Sequence, residues 1–426
     1  MSMIKKEYSK NTIKNYKYWF IEWVLDEKAQ MAYFCGANLN MLYQYDLEKN
    51  VIEQLGSFPD MPVSNQLFRG GVIHNNRIYF PPRMAAMMGI YDIEKKLFQT
   101  KDIYEEIDNK ERFAPNNTGY ISVKYQDERA FFIYMMTPFC VVMDLDSERI
   151  SYITCGETGE KLFLGIDYCI LGDFFIAPIH GHNKILLLNM KNATMELREL
   201  HMDSDDFCSS LHLAGDGKIY LLNSKNPSVL KWDPKTNELA EIAALPMDDI
   251  ICEQGYLLRS AKDAIYVFPG LDLYGGNERA FRVDPASGLV SEISLFQKYK
   301  EYIKWNIISQ KEKYIYAMVP SGQDIFFSDE LIFVEYDWYQ NSVSEKKLPI
   351  PQGASELVIA QAIRNYQEQV RFRYVADNAL IYTEDEYLSL SGWINGIKSS
   401  DMKAEDKKEK CDNHIGKDIY NTLINL

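Results

Sequence analysis

Six histidines and seven cysteines are the side chains of this 426-residue chain best suited to metal or nucleophile chemistry. The densest group is His180-Gly181-His182. Two imidazoles one residue apart, with Asp nearby, can ligate a divalent cation. With Arg beside them they can instead grip a carboxylate, a sugar acid or a phosphate. A third reading is that they only hydrogen-bond neighbouring loops. His74 adjoins the Asn75-Asn76 turn, while His201 and His212 lie in strand-like runs, so these three read as structural. Cys35, Cys140, Cys155, Cys169, Cys208, Cys252 and Cys411 are odd in number and scattered, with no CxxC pair. Neither a zinc knuckle nor a dithiol redox motif is present. Dinucleotide and phosphate-loop fingerprints, a paired-His zinc motif and a nucleophile elbow are also absent. The run 156–161 (GETGEK) imitates a phosphate loop without its spacing and reads as a turn. No catalytic residue, metal or cofactor is assigned.

Charge narrows the partners. With 46 Lys and Arg against 61 Asp and Glu, the net charge is −15, which argues against a nucleic-acid backbone or an anionic membrane. At 46% hydrophobic and 13% aromatic residues, the chain can bury a large core. Residues 1–18 are Lys- and Asn-rich without an apolar signal segment, and no run of 18 apolar residues exists. The cytoplasm is the expected compartment.

What must position these groups is a repeat. An apolar run ending in Asp or Asn, followed by a polar turn and a second strand-like run, recurs every 44 to 53 residues. The punctuating residues are Asp46, Asp92, Asp144, Asn189, Asp233, Asp284 and Asp337. A short carboxylate or amide there can accept a bond from a backbone N–H two residues on, and Gly or Asn at the far end tolerates a left-handed backbone. Upstream of each lies an aromatic strand such as Arg77-Ile78-Tyr79-Phe80 or Lys218-Ile219-Tyr220, and ahead of that another β-type run. Tyr79, Tyr220, Tyr266 and Tyr316 are expected to pack between repeats, and 18–24, with Trp19, Phe20 and Trp23, to form the first inner strand.

Four strands per unit of this length is the pattern of a β-propeller blade, and residues 17–349 resemble the kelch/WD40-like propeller superfamily at the level of the repeat. The most literal feature is Trp232-Asp233 closing a third strand; Gly70-Gly71 precedes its strand, whereas a kelch pair would follow one. The expectation is an all-β, seven-bladed propeller with blades near 17–58, 66–104, 118–155, 160–201, 206–245, 251–295 and 302–349. Six or eight blades remain compatible with the pattern, because 367–375 and 379–383 also look like strands. The propeller domain is set at 17–350. The remainder, 351–426, reads as a docked extension of helix, two-strand hairpin and further helices; its last segment, 414–426, reads as a docked helix or a partner-binding one.

In a propeller the loops between second and third strands gather with the blade-to-blade connections on one face. Here several open with Pro: Pro81-Pro82-Arg83, Pro178-Ile179-His180, Pro269-Gly270 and Pro320-Ser321. Arg83, His180 and His182 should converge on that face, with Arg69 pointing toward the same mouth. The long loops 271–279 and 321–330 add Tyr274, Phe326 and Phe327 as aromatics suited to recognition, or to plugging the channel. The expected function is a non-catalytic binding or scaffold module presenting this face to a protein partner or a small anionic ligand. The alternative is an enzyme, a lyase, epimerase or hydrolase, acting on a sugar or modified peptide at an axial pocket through Arg83, His180 and His182.

Overall fold

The computed structural model describes most of residues 22–347. Outside it lie 1–21, 37–40, 60–66, 106–118, 156–161, 203–205, 248–255, 270–278, 294–297, 310–312, 321–331, 348–426 and a few single positions, as do most side chains of 302–320. Tyr274, Phe326, Phe327, Trp19, Phe20, the side chain of Tyr316 and the whole extension 351–426 are therefore outside the described residues.

Seven four-stranded antiparallel sheets follow one another along the chain, at 24–56, 72–101, 120–154, 169–199, 208–244, 256–293 and 302–347. Each falls inside one of the seven blades expected from the sequence, and strands within each sheet pair strictly in chain order. The middle strands are apolar on both faces because each blade is sandwiched. In Phe139–Asp144, Phe139, Val141 and Met143 join a core shared with blade 2, while Cys140 and Val142 join a core shared with blade 4. Period-two alternation thus serves two neighbours at once. Six such cores lie between successive sheets. The ring closes where Phe333 of blade 7 meets Trp23 edge-on at 5.7 Å and the Lys346 ammonium sits 5.5 Å from the Tyr45 ring centre. Outer strands such as Thr194–Glu199 are polar and largely exposed, as a sheet edge requires. The fold is a β-propeller.

The punctuating residues occupy equivalent corners. Each accepts a backbone N–H two or three residues on: Asp46 from Lys49, Asp92 from Lys95, Asp144 from Ser147, Asn189 from Lys191, Asp233 from Lys235, Asp284 from Ala286 and Asp337 from Tyr339, at 2.7–3.1 Å. Four residues after each, the backbone turns left-handed, at Asn50, Lys96, Glu148, Ala193, Asn237, Gly288 and Asn341, with φ between 52° and 72°. In three blades the aromatic residue ahead of the Asp bonds that same Asn: Tyr45 to Asn50, Trp232 to Asn237 and Tyr336 to Asn341. The carboxyls of Asp92, Asp233 and Asp284 are held below their usual range chiefly by these backbone bonds, and those of Asp46 and Asp144 first by the side chains of Lys49 and Ser147 and then by the backbone bonds.

One boundary differs. Among the described residues the inner strand of blade 1 is Val24–Asp26, paired with Met31–Tyr33 across the turn; Glu22 and Trp23 precede it, Trp23 packing on blade 7, and 18–21 lie outside the described residues. Tyr79, Tyr220 and Tyr266 do pack between blades.

Candidate functional site at the axial mouth

The segment leading into each inner strand is tied to the residue just after the second strand of the same blade. In blades 2 to 5 these bonds run from the N–H of Arg83 to Leu67, Met135 to Gly119, His180 to Phe163 and Ser224 to Phe207, at 2.7–3.2 Å. Second-to-third loops and blade entries therefore share one end of the ring. Arg83 is half-buried and lies over the entry to blade 3, its Cγ 3.2 Å from where a Gly119 Cβ would stand. His180 and His182 are exposed in the blade 4 loop, with the His180 ring edge-on to Phe207 at 5.6 Å. Among the described residues, no three His, Cys, Asp or Glu side chains are grouped as a metal site would need.

The strongest polar constellation lies at the entries themselves. Arg69, just ahead of the blade 2 inner strand, donates from Nε to Glu22 Oε1 at 2.7 Å, and its Nη1 approaches the Met135 sulfur at 2.9 Å. Glu22 holds the same place ahead of blade 1. Gly70, at φ +60°, leaves room for this pair: a Cβ there would stand 2.6 Å from Glu22 Oε2. Across the ring, Asp167 at the entry to blade 4 receives Arg259 Nη1 at 2.8 and 3.0 Å and the Ser210 hydroxyl at 2.7 Å. Ser210 in turn accepts the backbone N–H of Leu258 at 2.9 Å, so one hydroxyl bridges blades 4, 5 and 6. This second pair is buried, and its hydrogen bonds offset the cost of taking both charges out of water.

Tyr168 follows Asp167 in the chain, and 37% of its surface is open to solvent. Enclosure lifts its phenol to about 12; the carboxylates of Glu22 and Asp167 add to the rise, and Arg259 and Arg69 oppose it. Side chains from blades 1, 2, 4 and 6 thus act on one ring. Nearby, His212 shares a 3.0 Å bond with Ser260 and is held down to about 4, first by burial and then by Arg259, with Asp167 opposing. It is a neutral imidazole at pH 7.

Of the residues expected from the sequence, Arg69 belongs to this constellation and Arg83, His180 and His182 stand in loops at the same end. Sequence reasoning missed Glu22, Asp167, Tyr168, Ser210, His212 and Arg259. Two signals were available. Glu22 and Asp167 sit, like Arg69, just ahead of an inner strand, and Arg259 is a lone charge inside the apolar run Tyr256–Ala261.

No family profile matches this chain, and no curated protein does. Solved structures do. A catalytically inactive virginiamycin B lyase from Staphylococcus aureus, crystallised with quinupristin, aligns with a TM-score of 0.50 at 13% identity, over 71% of this chain and 93% of that one. AztD from Citrobacter koseri aligns at 0.43 and 12%, over 77% and 88%, and a chain of a mitotic checkpoint complex at 0.45 and 7%, over 71% and 83%. At such identities the likeness shows the propeller architecture alone.

Proposed function

We propose that this propeller, of the kelch/WD40-like kind its repeat resembles, is a binding module that takes a small anionic ligand at the axial mouth. The observation that carries this reading is the pair of guanidinium–carboxylate contacts at the blade entries, Arg69 on Glu22 and Arg259 on Asp167, drawn from four blades, with the partly open Tyr168 next to Asp167 in the chain. Arg83 at the entry to blade 3 adds a third guanidinium at this end, in a chain of net charge −15. Guanidiniums offer directed, charge-assisted donors to an anion. Binding is favoured over catalysis because both carboxylates are already engaged by guanidiniums.

The test is thermal unfolding and calorimetry of the full chain against inorganic phosphate, simple carboxylates and sugar acids. Some members should raise Tm in proportion to saturation, and Arg69→Gln with Arg83→Ala should remove the effect. If no anion in the set binds, or the double variant binds as the parent does, the reading is wrong.

A further inference from the structure

A hollow of about 410 Å³ lies in the cleft between blades 6 and 7, a size that takes a small organic ligand. Its lining includes Lys262, in the turn after the first strand of blade 6, and Tyr339 and Asn341, at the corner of blade 7. It therefore sits at the hairpin end, away from the axial mouth. One wall is blade 6. Tyr266, Arg282 and Ser291 stand opposite one another across its second, third and fourth strands, so their side chains share the face turned to blade 7. In blades 2, 3 and 4 the residue in the place of Arg282, two before the punctuating Asp or Asn, is Ile90, Val142 or Leu187, buried in the core shared with the next blade. Gln44, Lys231 and Glu335 stand there in blades 1, 5 and 7 and are half-buried, while Arg282 is exposed. Its guanidinium makes no hydrogen bond or ion pair among the described residues. The other wall is aromatic. Trp338 meets Tyr266 at 5.6 Å and Tyr336 at 6.3 Å, both edge to face, and Tyr339 beside it is 53% exposed. Lys262 reaches across the cleft to donate to the Tyr339 carbonyl at 3.2 Å, its ammonium 4.9 Å from that ring centre. The one carboxylate in the lining, Glu292, is already held by Arg279 at 2.9 and 3.2 Å. The corner carboxylates Asp284 and Asp337 accept the backbone N–H groups of Ala286 and Tyr339.

We propose that this cleft is a ligand site separate from the axial mouth, and that it takes a carboxylic acid built on a single aromatic ring. The carboxylate goes to Arg282, with Lys262 as the second cation, and the ring packs on the wall of Tyr266, Trp338 and Tyr339. A guanidinium not committed to a protein partner presents a planar fork that matches a carboxylate. Rings already set edge to face receive one more ring in the same manner, and such a contact adds to what burial alone supplies. A saturated ring of the same size buries similar area without that gain, and inorganic phosphate has no ring to pack. Nothing in this site depends on the axial reading.

Calorimetric titration of the full chain with benzoate, its saturated twin cyclohexanecarboxylate and its uncharged twin benzamide tests this. Benzoate should bind about two- to tenfold more tightly than cyclohexanecarboxylate. It should bind at least about tenfold more tightly than benzamide, as expected when a charge-assisted bond is lost. Arg282→Leu gives blade 6 the side chain that blade 4 buries as Leu187, so this variant should fold with a Tm no lower than the parent's and lose benzoate binding. Tyr339→Ala should narrow the gap between benzoate and cyclohexanecarboxylate. Arg69→Gln with Arg83→Ala, which removes the proposed axial donors, should leave benzoate binding as in the parent. Failure of the parent to bind benzoate, or equal affinity for benzoate and either twin, overturns the proposal whatever the variants do. A folded Arg282→Leu chain that binds benzoate as the parent does also overturns it. Loss of benzoate binding in the axial double variant overturns it too, and moves that ligand to the axial mouth. If phosphate, simple carboxylates and sugar acids fail at the axial mouth while benzoate still depends on Arg282, the axial reading falls and this one stands.

Discussion

The two ends of each blade follow different rules. At the end carrying the third-to-fourth hairpins, seven corners repeat the same device, an Asp or Asn accepting a backbone N–H followed four residues later by a left-handed residue. At the opposite end, where inner strands begin, the described entries are not built alike: Glu22 precedes blade 1, Arg69-Gly70 blade 2, and Asp167 and Asp206 precede blades 4 and 5, these two held by different partners, Arg259 and Asn226. What repeats is what every blade needs in order to fold. What varies is free of that demand, and in a ring it is brought to a common centre. Individuality at the entries is therefore where recognition can reside.

Substitutions can break this contrast, and the largest effect belongs to the buried pair. Asp167→Ala leaves the Arg259 guanidinium buried without its carboxylate and should cost about 3–5 kcal/mol in denaturant unfolding, whereas Asp167→Leu with Arg259→Met should recover much of that loss. A cost no larger than that of a hairpin Asp would erase the distinction between the two ends.

Acid separates the ends next. His212 has a folded pKa of about 4, below its ordinary 6.5. As pH falls the unfolded chain takes up the proton first, so stability is lost from 6.5 down to about 4, by a total on the order of 3 kcal/mol. The hairpin carboxyls, also depressed, contribute stability above their ordinary value of 3.8 and surrender it only as pH falls below that. His212→Gln should flatten the curve between pH 6.5 and 4 and leave the steeper acid limb in place. An unchanged slope in that window would refute the assignment.

Backbone at the entry comes third. Gly71, at φ +155°, would place a Cβ 2.7 Å from the Tyr79 carbonyl oxygen, so Gly71→Ala should cost roughly 1–3 kcal/mol by thermal unfolding. The smallest effects are expected at the hairpins. Asp46→Ala, Asp233→Ala and Asp284→Ala should each lower Tm slightly, by similar amounts, and add in the triple variant because the sites share no partners. Unequal or strongly coupled losses would show that the corners are not equivalent.

The architecture was legible because its signals are local. An Asp that caps a turn four residues before a left-handed position works within one hairpin, so its spacing survives in the sequence as a rhythm, and every expected blade contains its sheet. The axial mouth was legible only in part. Arg69 was found because it enters the inner strand of blade 2, but its partner Glu22 is 47 residues away and Asp167 is 92 from Arg259. Pairings that far apart are created when blades pack around a common axis, and nothing in the linear spacing encodes them. His212 was read as structural from its strand-like surroundings; its nearness to the charged cluster follows from the inner strand on which it lies.

The seam between Trp23 and Phe333 is the one junction in the ring that successive residues do not bridge, since it joins the first sheet to the seventh. During synthesis the first blade leaves the ribosome with that aromatic flank bare, and it stays bare until the last blade has emerged. A nascent chain halted before residue 333 should therefore present an adhesive edge to chaperones, and the completed ring should shed them as its two ends meet.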